Sequence, residues 1–194
     1  MIPAGLRSRY EEPWRHYHTV AHIEAMERHL DAAIEDGVAV HDPVSCRAFI
    51  WWHDAIYEPE AAHGRNETRS AELCRAEMAT GHDPAVIERT VAMIEATARH
   101  VPPPPEIAPD APLMLDIDLS ILGATPDAYR AYADAIGREY AHVATAAYCT
   151  ARARILRGFL DRPALYLTDW ARDRWEAAAR ANLAAEIVAL TAAD

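Results

Sequence analysis

Two histidines and three aspartates carry the chemistry of this sequence, because each sits among residues that ask for burial. His53 and Asp54 lie inside the run Phe49-Ile50-Trp51-Trp52-His53-Asp54-Ala55-Ile56-Tyr57, which is otherwise apolar. A carboxylate in such surroundings is costly unless something positive faces it. A hydrogen-bonded core histidine is the plainer solution. A divalent metal is the more economical one, since neutral imidazole and carboxylate are both good ligands. His22 lies one turn before Met26 on a predicted helix whose Ile23, Met26, Leu30 and Ile34 recur at helical spacing, so it too faces inward. A second apolar run, Leu113-Met114-Leu115-Asp116-Ile117-Asp118-Leu119-Ser120-Ile121-Leu122, repeats the anomaly with Asp116 and Asp118. Two imidazoles and two carboxylates from three separate helices can hold one ion and still leave coordination positions open, as a catalytic metal requires. Such a donor set suits Mn, Fe, Co, Ni, Zn or Mg.

These side chains must be positioned by helices. The first runs from Thr19 to a stop at Gly37, with His18 one turn before His22 if helical geometry reaches back that far. Asp42-Pro43 starts a second, apolar almost all round and expected to be the central one, ending near Glu58-Pro59. Asn66 caps a third, reaching Gly81, and Asp83-Pro84 starts a fourth that Pro102-Pro103-Pro104-Pro105 breaks. The second apolar run comes next. Helices then follow from Thr125-Pro126, from Thr145 to Leu160, and from about Thr168. Residues 1–15 show no period and read as an extended lead-in, with Trp14 packed on the body. No segment alternates as a strand would. The expectation is an all-α chain of about eight helices forming one domain over residues 1–194, with a core at about 15–123 and C-terminal helices at about 126–192 packed on it.

Bulk composition narrows the partners. A net charge of −11 argues against a general nucleic-acid or anionic-membrane surface. The chain has no lysine, so any cationic contact to a ligand comes from arginine or a metal. No apolar span is long enough to cross a bilayer and no export signal opens the chain, so a soluble cytoplasmic protein is expected. Cys46, Cys74 and Cys149 have no Cys-x-x-Cys spacing and read as buried apolar residues of a reducing compartment. Apolar residues on the last helix serve a core or a homodimer equally well.

The order His, then His-Asp, then a distant Asp resembles the HD-domain superfamily of metal-dependent phosphohydrolases, an all-α family. Tyr17-His18-Thr19-Val20-Ala21-His22 is similar to the Tyr-His-Asn-x-x-His tract of cyclic-nucleotide phosphodiesterases, which share that core. More narrowly, the chain resembles a bacterial group of HD phosphohydrolases carrying Arg-x-Tyr-His-x-x-x-His, His-Asp-x-x-Tyr, Asn-Glu-x-x-Ser-Ala, Thr-x-x-His and Asp-x-Asp-Leu. Here these fall at Arg15 to His22, His53 to Tyr57, Asn66 to Ala71, Thr97 to His100 and Asp116 to Leu119. The resemblance implies an HD-like bundle with His22, His53, Asp54 and Asp118 as metal ligands and Asp116 and His100 in reserve, His100 serving a second metal as in binuclear members or simply ending its helix unmetallated. It implies His18 as proton donor. Some bacterial members place a catalytic glutamate where this chain has Tyr57, a role that then falls to Glu67 or His18. Arg65, Asn66, Arg69 and Arg138 are the residues expected to bind substrate phosphate. The expected activity is hydrolysis of a small phosphorylated molecule, a nucleotide first among them, by metal-activated water. A non-catalytic, metal-stabilised regulatory module is the alternative, and a di-iron oxygenase a more distant one.

Overall fold

A computed structural model describes residues 4–192. They form nine α-helices and two 3-10 turns, and no strand occurs among the described residues. The chain divides into two compact units, the first ending at Ile117 and the second beginning at Asp118.

The first unit contains α1 (Ala4–Arg7), a 3-10 turn (Ser8–Glu11), α2 (Val20–Glu35), α3 (Pro43–Trp52), α4 (Arg65–Met78), α5 (Pro84–Thr97) and α6 (Ala111–Asp118), whose last residue opens the second unit. Its centre is α3, as the sequence predicts, with every residue from Ser45 to Trp52 except Arg47 buried. The helix starts where it does because Asp42 Oδ1 accepts the backbone N–H groups of Val44 and Ser45 at 3.1 and 3.2 Å, with Pro43 at the first helical position. The other oxygen of Asp42 pairs with Arg89 of α5 at 2.7 Å. Burial raises the Asp42 pKa, but the Ser45 and Arg89 bonds outweigh that and hold it below the usual carboxylate range. Asp110, at the end of the proline-rich loop, accepts the N–H groups of His41 and Asp42, both at 2.8 Å. That loop therefore sets α6 against the start of α3.

Three expectations fail in this unit. Residues 4–11 are helical rather than extended, and the buried Leu6 and Tyr10 explain why, since they dock on the body. Next, α3 stops at Trp52 rather than near Glu58, so His53 and Asp54 lie on a turn. Lastly, α4 begins at Arg65 after Gly64, whose φ of 78° suits a residue without a Cβ, so Asn66 is not its cap. The Asn66 side chain instead brackets Glu58, accepting its N–H at 3.1 Å and donating to its C=O at 3.0 Å.

The second unit contains a 3-10 turn (Leu119–Gly123), α7 (Pro126–Glu139), α8 (Thr145–Leu160) and α9 (Asp169–Thr191). Thr125 and Thr168 cap α7 and α9 as expected. A buried network joins all three helices: Tyr129 donates to Glu186, which also receives Arg152 at 2.9 and 3.2 Å. The turn before α9 hangs on Glu176, whose carboxylate accepts the N–H groups of Leu165 and Tyr166 at 3.0 and 3.2 Å. Arg180 pairs with Glu176 at 2.6 Å and donates to the carbonyls of Leu160, Arg162 and Pro163. Burial raises the Glu176 pKa, yet the two N–H bonds and Arg180 together bring it below the ordinary value. A depressed carboxylate pKa contributes stability above the unfolded value near ~4.3, lost as pH falls through the folded one. Glu176→Gln is thus expected to cost about 1.5–3 kcal/mol at pH 7 in urea unfolding and much less at pH 3. Equal losses at both pH values would contradict a charge-dependent lock.

Candidate metal centre

His22 enters the site from the first turn of α2, as the third residue after the Thr19 cap position. His53 is the cap residue that ends α3, its N–H still bonded to the Phe49 carbonyl at 2.9 Å. Asp54 follows on the turn. The two imidazoles are almost fully buried, and the Asp54 side chain is 19% exposed, so the group keeps one open side. His53 Nε2 lies 3.3 Å from His22 Nε2 and 3.0 Å from Asp54 Oδ2, and His22 Nε2 lies 4.0 Å from Asp54 Oδ2.

Hydrogen bonding sets the ring chemistry. His53 Nδ1 is 3.0 Å from the Ile50 carbonyl oxygen, which can only accept, so Nδ1 carries a proton. In the neutral ring, Nε2 then points a lone pair at a carboxylate oxygen and a second imidazole nitrogen. A neutral His22 with its proton on Nε2 can donate to that lone pair, and the Asp54 oxygen is accommodated by a proton on His53 or on the carboxyl, or by a metal ion. The ring is further held by stacking on Phe49, with centroids 5.2 Å apart. Tyr17 Oη contacts His22 Nδ1 at 3.1 Å, and His22 Nε2 faces the His53 ring at 3.3 Å.

The dimensions suit a single ion. Bonds of about 2.0–2.2 Å to ligands at adjacent coordination positions separate those ligands by roughly 3.0–3.5 Å. Two of the three edges fall in that range, and all the ligand atoms lie within 4.8 Å of one another. The third edge is wider and still below twice a bond length of about 2.1 Å. The residues present therefore fit a nitrogen- and oxygen-ligated divalent ion.

The remaining expected residues are placed as follows. His18 precedes α2, because helical geometry does not reach back to it. Its ring stacks on Tyr57 with centroids 4.1 Å apart and stands 6.2 Å from the His22 ring. Asp116 is buried on α6, and Asp118 is that helix's half-buried last residue. His100, just past α5, holds a left-handed φ of 48°, uncommon for a residue with a Cβ. Glu67 is half-buried in the first turn of α4, where its charge favours the helix dipole. Arg65 is exposed, and Arg69 pairs with Glu58 at 2.6 Å. Arg138, exposed on α7, lies on the rim of a cavity of about 670 Å³ formed by α7, α8 and α9 in the second unit.

Two neighbours of the site were not singled out by residue type. Tyr17 orients His22, and Arg15 donates to the carbonyls of His18 and Asp54. The only signal for either was membership of the Arg-x-Tyr-His tract.

All three cysteines are free and buried. No described helix is long and apolar enough to cross a membrane. Comparison with known protein families, with curated proteins and with solved structures finds no match.

Proposed function

We propose that this protein is a metal-dependent phosphohydrolase of HD type acting on a small phosphorylated molecule, with a nucleotide as the first candidate. The observation that carries the reading is the convergence of His22, from the first turn of α2, with His53 and Asp54, from the turn after α3, onto one partly open point. A divalent ion held there supplies Lewis acidity and a bound water acidic enough to ionise near neutral pH. Asp118, or Asp116 in its place, completes the donor set in this reading.

The chain's own residues account for the rest. Asp54 keeps the open side of the site, where substrate and water enter. His18 donates a proton to the leaving oxygen in this reading. Arg65 and Arg69, one turn apart at the start of α4, neutralise phosphate charge in this reading. The second reading is a metal-stabilised module without turnover. The packing of His18 against Tyr57 favours it, because a ring held in a stack is less free to exchange protons with substrate.

Elemental analysis of protein purified without chelator, followed by turnover of a nucleotide and phosphoester panel with Mn, Co or Ni, tests both readings. His18→Ala is expected to lower the hydrolysis rate about 10²- to 10⁴-fold with metal content unchanged. If metal and rate fall together, His18 is a ligand or a support and the proton-donor role is wrong. Bound metal with no turnover of any phosphoester would select the module.

A further inference from the structure

We propose that Arg15 is a positioning residue that sets His18 and the His53-Asp54 turn in register with one another. The proposal rests on the metal reading above and extends it to a side chain with no ligand or substrate role. It follows from accounting for the backbone carbonyls where α3 ends.

A helix terminus leaves its last four carbonyls without intrahelical partners, and buried ones must find others. After Trp52 the chain leaves helical geometry but remains inside the first unit, so the demand continues through Tyr57. The Phe49 carbonyl accepts the His53 N–H and the Ile50 carbonyl accepts His53 Nδ1–H. Tyr10 Oη donates to the Trp51 carbonyl at 2.8 Å, and the Ala55 N–H reaches that of Trp52 at 3.1 Å. Arg15 then takes two in succession, Nη1 to Asp54 at 2.8 Å and Nη2 to Ala55 at 3.3 Å. Ser70 Oγ donates to Ile56 at 3.3 Å, and Trp14 Nε1 to Tyr57 at 3.1 Å. Three residues of the N-terminal segment, Tyr10, Trp14 and Arg15, thus hold the turn that carries the ligand pair.

Arg15 does something the other two do not. Its Nη1 also donates to the His18 carbonyl at 3.2 Å, so one guanidinium ties the His18 backbone to the Asp54 backbone. The side chain is 0% exposed, with Nε paired to Glu12 at 2.9 Å. The guanidinium lies 5.1 Å from the Tyr10 ring centroid and 5.4 Å from that of Tyr57, the ring stacked on His18. A planar fork with five donors can meet three carbonyls and a carboxylate at once; an ammonium on a shorter reach cannot.

The test uses the full chain with Co²⁺ as probe, comparing wild type with Arg15→Lys, Arg15→Gln and the control Glu12→Gln. Melting temperature is followed alongside the Co²⁺ absorption spectrum. Histidine ring proton shifts are recorded on metal-free protein. Arg15→Lys and Arg15→Gln are expected to bind Co²⁺ about 10- to 100-fold more weakly, the usual cost of losing a residue behind the ligands. The absorption bands should shift, and the His18, His22 and His53 ring protons should move while those of the exposed His82, between α4 and α5, stay. Glu12→Gln, which keeps the carbonyl contacts, should bind within about twofold of wild type.

Wild-type affinity, spectrum and ring shifts in a folded Arg15 variant would overturn the proposal, whatever its melting temperature. So would failure of both Arg15 variants to fold, which would make Arg15 a folding residue only. If wild-type protein itself takes up no Co²⁺, the metal reading is lost, and the metal-free ring shifts alone then decide for or against Arg15.

Discussion

Asp54→Asn is expected to weaken divalent-metal binding by more than about 100-fold, beyond the range that losing a residue behind the ligands produces. The substitution keeps the shape of the side chain and removes its charge, so the change reports on the site. In wild-type protein Asp54 Oδ2 stands 3.0 Å from His53 Nε2, whose lone pair faces it when the ring is neutral. Without metal, an amide at position 54 relieves that repulsion by donating to the lone pair. The metal-free variant should therefore be as stable as wild type or slightly more so.

With metal the order reverses. A ligand at a hundred times its Kd stabilises the folded state by about 2.7 kcal/mol. Wild type should gain that increment on addition of Mn²⁺ or Co²⁺, and Asp54→Asn should gain almost none. Thermal or urea unfolding with and without metal measures both effects. Equal metal-dependent stabilisation in the two proteins would show that Asp54 is not a metal ligand.

Gly123→Ala should cost about 3 kcal/mol or more, at the upper end of what overpacking produces. Gly123 ends the 3-10 turn that lies along α9. A Cβ placed there would come to 2.8 Å from the Trp175 Cα and 2.9 Å from its carbonyl oxygen, and closer still to its Cβ. Carbon atoms in contact normally keep about 3.5–4.0 Å apart. Helix backbone cannot give way as a flexible side chain would, so the turn must leave α9. Leaving breaks the bonds from Asn182 Nδ2 to the carbonyls of Leu122 and Ala124, both 2.9 Å, and strains that from Tyr166 Oη to Leu119 at 3.0 Å.

Gly158→Ala is the matched control, since nothing lies within 4 Å of its added Cβ on α8. It should be neutral or stabilising by about 0.5–1 kcal/mol. Urea unfolding followed by tryptophan emission gives both values. A Gly123→Ala protein within about 1 kcal/mol of wild type would mean that the turn and α9 do not pack this closely.

Helix type and most helix starts were legible in the chain because they depend on neighbours in sequence. Asp42-Pro43, Asp83-Pro84 and Thr125-Pro126 place a capping oxygen and a preset φ side by side, and each begins a helix. The all-round apolar character of Pro43–Trp52 marked the central helix for the same reason. His22, His53 and Asp54 were legible as anomalies, being polar groups that burial penalises without a partner.

Helix ends that answer to distant residues were not legible. The apolar run around His53 reads as continuous helix, and α3 stops at Trp52 where Tyr10, Arg15, Trp14 and Ser70 offer the following carbonyls other partners. Asn66 has the chemistry of a cap, and a loop residue, Glu58, takes its amide instead. The N-terminal segment has no period because its contacts are made one residue at a time: Tyr10 to Trp51, Trp14 to Tyr57, Arg15 to Asp54.

The sequence by itself determined which buried polar residues need partners and which segments coil, since both follow from side-chain chemistry and local spacing. Only the tertiary structure decided that two of those residues leave the helix and meet a third, because that depends on hydrogen-bond partners some forty residues away in the chain.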